Sequence, residues 1–95
     1  MDFDLKWFKE NLSCKFKEYQ ITYNFFANGD LGDIERVEFE GNGKGGSIDF
    51  WSSGWLGIHV YSYITNQQLM NILLEPDEQS QKNKAFDDLI KILNY

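Results

Sequence analysis

Cysteine and histidine occur once each, as Cys14 and His59. A lone cysteine cannot close a disulfide within the chain and is consistent with a reducing compartment. With no second histidine and no cysteine near His59 in the sequence, a zinc or iron site would have to be completed by carboxylates alone. That is an uncommon ligand set, so neither a metal nor a cofactor is expected. No apolar run approaches the ~18 residues that would span a bilayer. Asp2, Asp4, Lys6, Lys9 and Glu10 interrupt any apolar stretch that a secretion signal would need. A cytoplasmic protein is expected.

Positive charge is scarce as well. Lys and Arg number 9 against 15 Asp and Glu, for a net charge of -6. That balance argues against direct binding to nucleic acid or to anionic membrane, both of which reward lysine and arginine, and favours a basic partner. Repeats, low-complexity tracts and long linkers are missing. Residues 1–95 therefore read as a single domain with one core, which by size scaling buries about 60 to 70% of the unfolded surface. Aromatic content of 17% and hydrophobic content of 42% supply the material for that core.

What is present is organised around residues 45–63, GGSIDFWSSGWLGIHVYSY, read as a β-hairpin at the centre of a small sheet. Successive side chains of a strand point to opposite faces. Ile48 and Phe50 thus share one side, as do Ile58 and Val60, and this face is apolar. Asp49 and Trp51, with His59, Tyr61 and Tyr63, take the other, which is aromatic and polar. Ser52-Ser53-Gly54 provides the reversal.

Before the hairpin, Leu5, Phe8, Leu12, Phe16 and Tyr19 recur at spacings of three and four, predicting an amphipathic helix over residues 2–19. Asp2 and Asp4 sit where its dipole favours negative charge, and Trp7, flanking the stripe, is expected to pack rather than bind. Residues 21–26 read as the first strand and residues 34–40 as the second, with Val37 and Phe39 facing one way and Arg36, Glu38 and Glu40 the other. After the hairpin, Thr65-x-x-Gln68 has the form of a capping box, and Leu69, Ile72 and Leu73 follow at helical spacing, predicting a short helix. Pro76 marks its end, and Ala85, Phe86, Leu89, Ile90 and Leu93 line a final helix. The expected fold is α+β: a four-stranded antiparallel meander with an N-terminal helix and two C-terminal helices packed on one face.

Several chemical motifs fail on their context. Gly41-x-Gly43-x-x-Gly46 has a nucleotide-loop spacing, but it lies between two strands and lacks the helix whose N-terminus would hold phosphate, so it reads as a hairpin loop. Lys44 is followed by Gly45 and is no P-loop lysine. Asn28, Asp30 and Asp33 have the wrong offsets for an EF-hand. His59 could act as a general base with Asp49 on the neighbouring strand, but no nucleophile or oxyanion site accompanies them, and Ser47, Ser52, Ser53 and Ser62 have ordinary turn or strand readings. No enzymatic activity is expected.

If the helices cover the Ile48 side, the other face stays open, and large aromatics left in water point to a partner. The candidate partner-binding residues are Glu38, Glu40 and Asp49, with Trp51, Trp55, His59, Tyr61 and Tyr63. The acidic ones serve equally well as guards of a strand edge. The alternative is a carbohydrate- or ligand-binding module in which Trp51, Trp55, Tyr61 and Tyr63 stack on sugar rings. In layout, the hairpin segment followed by LMNILLEPDE and AFDDLIKIL resembles the small acidic immunity proteins of bacterial contact-dependent growth inhibition and other polymorphic toxin systems. The resemblance implies a cytosolic, non-enzymatic protein that binds one cognate toxin domain, often a nuclease with a basic cleft, and blocks its active site or its access to substrate.

Overall fold

The computed structural model describes residues 3–94. A short helix α1 (Leu5–Asn11) is followed by a 3-10 turn (Ser13–Phe16). Five strands come next: β1 (Gln20–Gly29), β2 (Gly32–Gly41), β3 (Lys44–Trp51), β4 (Leu56–Ser62) and β5 (Gln67–Leu74). Helix α2 (Gln79–Leu93) completes the order. The strands form one antiparallel sheet in sequence order, β1-β2-β3-β4-β5. The expected class and the meander hold, but among the described residues the sheet has five strands and one helix follows it, not four strands and two helices.

The difference lies in residues 65–74. Leu69, Ile72 and Leu73 suggest a helical stripe, yet Met70, Ile72 and Leu74 alternate equally well, and the segment is too short for a stable isolated helix. As a strand it pairs with β4 from Ser62↔Gln67 to Leu56↔Leu74 and buries Met70, Ile72 and Leu74 partly against the core. The proposed capping box is not formed. Asn66 takes a left-handed conformation (φ 55°) in the turn before β5, and the Thr65 N–H donates to the Ser62 hydroxyl. Pro76 accordingly ends a strand rather than a helix.

The N-terminal helix is also shorter than its apolar stripe. Asp4 caps it, its carboxylate accepting from the Trp7 N–H at 2.8 Å. Asp2 lies outside the described residues. After Asn11 the chain tightens into the 3-10 turn, where the Ser13 hydroxyl donates back to the Lys9 carbonyl. The stripe survives this change of pitch: Phe8, Leu12, Phe16 and Tyr19 are all buried. Trp7 packs between Phe3 and Phe86, with ring centroids 4.7 Å from each.

Strand boundaries extend a few residues beyond the expected ones because the turns are tight. Asn42 (φ 50°) and Gly43 (φ 73°) form the two-residue β2–β3 turn, a geometry that matches the twist of the flanking strands. The Gly41-x-Gly43-x-x-Gly46 segment is thus a hairpin loop, as its position between two strands predicts. On the inner face Val37, Phe39, Ile48, Phe50, Leu56, Ile58 and Val60 are each no more than 3% exposed. Both helices cover this face, and α2 contributes Ala85, Phe86, Leu89 and Leu93 to the core.

One feature of the core was not legible in the sequence. Lys82, on the first turns of α2, is buried, and its amine donates to the Gly54 carbonyl at 2.7 Å and the Pro76 carbonyl at 3.2 Å. The long aliphatic stem crosses the core edge while the charged head joins the β3–β4 turn to the β5–α2 loop. Its position one turn before Ala85 and Phe86 is the only signal the pattern offers.

Candidate functional site

Among the described residues no helix lies on the outer face of the sheet, so its residues are organised by cross-strand contacts. The register places Glu38 opposite Ser47, and Ser47 opposite His59; one row along, Glu40 stands opposite Gly45, and Gly45 opposite Tyr61. Gly45 leaves the middle of its row without a side chain, because a Cβ there would collide with the Tyr63 phenol. The result is a shallow open trough of about 340 Å³. Gln20, Thr22, Arg36, Glu38 and Glu40 form one wall, Gly45, Gly46 and Ser47 the floor, and His59, Tyr61 and Tyr63 the other wall.

Five of the eight candidate residues thus meet in one place. Glu38 and Glu40 are exposed, and the Asn24 amide donates to Glu38 at 3.2 Å from β1. His59 and Tyr61 are half-buried, and the His59 Nε2 lies 3.3 Å from the Gln68 Oε1 on β5. Tyr63 follows β4 but folds back toward the floor, its ring centroid 5.7 Å from that of Tyr61. The two rings are inclined by 55° to each other.

The remaining three stand apart from the trough. Asp49 is held by Arg36 across the β2–β3 pair, with Arg36 Nε to Oδ1 at 2.7 Å and Nη2 to Oδ2 at 3.0 Å. This bidentate pair raises the Arg36 pKa above its ordinary value, the hydrogen bond to Asp49 outweighing the opposing effect of burial. The guanidinium also sits 4.9 Å from the Phe26 ring centroid. The His59–Asp49 couple that a general base would need, set aside in the sequence, is not formed: Asp49 stands opposite Gly57, His59 opposite Ser47, and both Asp49 oxygens are engaged by Arg36. Trp51 lies across Gly57, its ring edge about 3.1 Å from where a Cβ would be. Trp55 is half-buried in the turn, its carbonyl accepting from the Trp51 N–H.

Electrostatically, then, Arg36 is paired with Asp49 and also acts on Glu38 from the side of the trough, which sets the carboxylates of Glu38 and Glu40 facing an aromatic wall. Such a surface can take a cationic side chain between carboxylate and ring. The floor and the β1 contribution were missed from the sequence, although Gly45-Gly46-Ser47 at the start of a strand is the signal for an indentation in a sheet face. Among the described residues no three of His, Cys, Asp and Glu cluster as metal ligands would, and no helix is long and apolar enough to cross a membrane. Cys14 is exposed and unpaired in a disulfide sense. No family profile, curated protein or solved structure matches this chain.

Proposed function

We propose that this protein is a cytoplasmic, non-enzymatic immunity protein that binds a cognate bacterial toxin domain and blocks its active site or substrate cleft. The observation that carries this reading is the uncovered outer face, where Glu38 and Glu40 oppose His59, Tyr61 and Tyr63 across a trough. A net charge of -6 steers such a face toward a basic partner, and a nuclease that must attract phosphate is one. Tyrosine and tryptophan are the side chains that most often anchor protein interfaces, because they bury large area at little entropic cost. The likeness in layout to polymorphic-toxin immunity proteins selects the kind of basic partner.

Co-expression with the product of the neighbouring reading frame should give a co-purifying complex and rescue cells from its toxicity. In calorimetry on that complex, Tyr61→Ala or Trp51→Ala should weaken binding by about 2 kcal/mol or more. Exchanging Glu38 and Glu40 for Lys should chiefly slow association and reduce its sensitivity to salt. If both aromatic variants bind with unchanged affinity, this face is not the interface.

A further inference from the structure

The far edge of the sheet differs from the trough in that its strand, β5, carries no charged residue. β5 is the terminal strand, so one row of its backbone N–H and C=O groups has no partner in the ladder. Exposed edges are usually guarded by charged residues, proline or very short length. β5 runs for 8 residues, QQLMNILL, without a charge or a proline. The neutral stretch is wider than the strand: residues 50–74 contain no Asp, Glu, Lys or Arg. The sheet's carboxylates stand on β2 and β3, as Asp33, Glu35, Glu38, Glu40 and Asp49. Pairing along β5 sets no charged strand residue of one copy against the other. The opposite edge strand β1, QITYNFFANG, is likewise without charge or proline, but it slips in register after Phe26 and Lys9 of α1 sits over its Tyr23 ring at 4.6 Å.

Beside β5, on the helix side, an apolar groove of about 490 Å³ separates the strand from α2. Leu69, Met70, Asn71 and Ile72 line it from the strand, and Asp88, Lys91 and Ile92 from the helix. We propose that a second copy of this chain occupies this edge, the two β5 strands pairing antiparallel across a two-fold axis near the regular stretch that faces β4 from Met70 to Leu74. Such an axis brings the two α2 helices side by side and antiparallel, over the joined strands. Asp88 and Lys91, one helical turn apart and of opposite sign, then meet reciprocally: Asp88 of each copy faces Lys91 of the other. Met70, Ile72 and Ile92 fill the space between them. A pair of opposite charges on one turn is self-complementary under two-fold symmetry, and this argues for the chain itself as the occupant. The outer side of the joint is continued by Leu73, which is 55% exposed in the single copy.

The dimer does not depend on the toxin-binding reading, because it uses the opposite end of the sheet from Glu38 and Glu40. Sedimentation of the full chain from low micromolar to millimolar concentration should show a reversible monomer–dimer equilibrium. Lys91→Glu should raise the dimer Kd by about tenfold, since it sets like charges in both reciprocal contacts. Adding Asp88→Lys to Lys91→Glu restores opposite signs and should return the Kd to near the starting value. A chain that stays monomeric throughout overturns the proposal. So does a dimer indifferent to Lys91→Glu, or one that the double exchange fails to recover.

Discussion

The inner and outer faces of this sheet are written into the same strands, residue by residue, and end in different states. On the inner face, Val37, Ile48, Ile58 and Val60 are at most 1% exposed beneath α1, the 3-10 turn and α2. On the outer face, Glu38, Ser47, His59 and Tyr61 have no covering layer and make their contacts within the plane of the sheet. The inner residues gain stability by leaving water. The outer ones hold each other by directional pairs: Arg36 with Asp49, Asn24 with Glu38, His59 with Gln68. Stability should therefore be concentrated on one face, leaving the other free to serve recognition.

The sharpest test of that division is Phe50→Ala. Phe50 is 2% exposed and stacks near Phe86, so truncation should cost about 3–5 kcal/mol in urea unfolding. Tyr61→Ala on the outer face should cost far less, and equal losses at the two positions would erase the distinction. Lys82→Met comes next. It keeps the buried stem but leaves the Gly54 and Pro76 carbonyls without their amine donor, for an expected loss of about 1–3 kcal/mol. No loss would mean that the head group is dispensable to the inner layer.

On the outer face, a double-mutant cycle through Arg36→Ala and Asp49→Ala should return a coupling of about 1 kcal/mol, since the pair is bidentate but still touched by solvent. A coupling of zero would show that the guanidinium is held by Phe26 rather than by Asp49. The smallest effect is a dependence on alkaline pH. Burial raises the Tyr19 pKa above its ordinary 10.0, against a hydrogen bond with Asn42 that lowers it. A group whose pKa is raised by folding contributes stability that is full below its unfolded value and is lost as pH climbs through the folded one. Unfolding free energy should thus decline above about pH 10, and less so in Tyr19→Phe, where the hydroxyl that donates to the Leu93 carbonyl is gone. An identical decline in both proteins would assign the loss to other groups.

Alternation made the two faces legible in advance. Ile48, Phe50, Ile58 and Val60 could be assigned to the core, and Glu38, Glu40, His59 and Tyr61 to the opposite side, because period two in a strand leaves no other arrangement. The helical stripes of Phe8, Leu12 and Phe16 and of Phe86, Leu89 and Leu93 were legible for the same kind of reason. What did not read out was contact between side chains. That Asp49 belongs to Arg36 and not to His59 depends on register, which the turn at Asn42-Gly43 sets and a list of alternating residues does not. The trough likewise depends on Gly45 falling between Glu40 and Tyr61, a juxtaposition of three strands.

The sequence by itself thus determined an acidic chain, an α+β composition and an apolar sheet face with helices to cover it, since periodicity and charge are local properties. Only the tertiary structure decided that residues 67–74 are a fifth strand, that Lys82 is buried and that Arg36 neutralises Asp49. The physical reason is the same in each case. A segment whose apolar residues satisfy both periods is settled by the partner it finds, and β4 offered residues 67–74 a hydrogen-bonded edge that a lone short helix could not match.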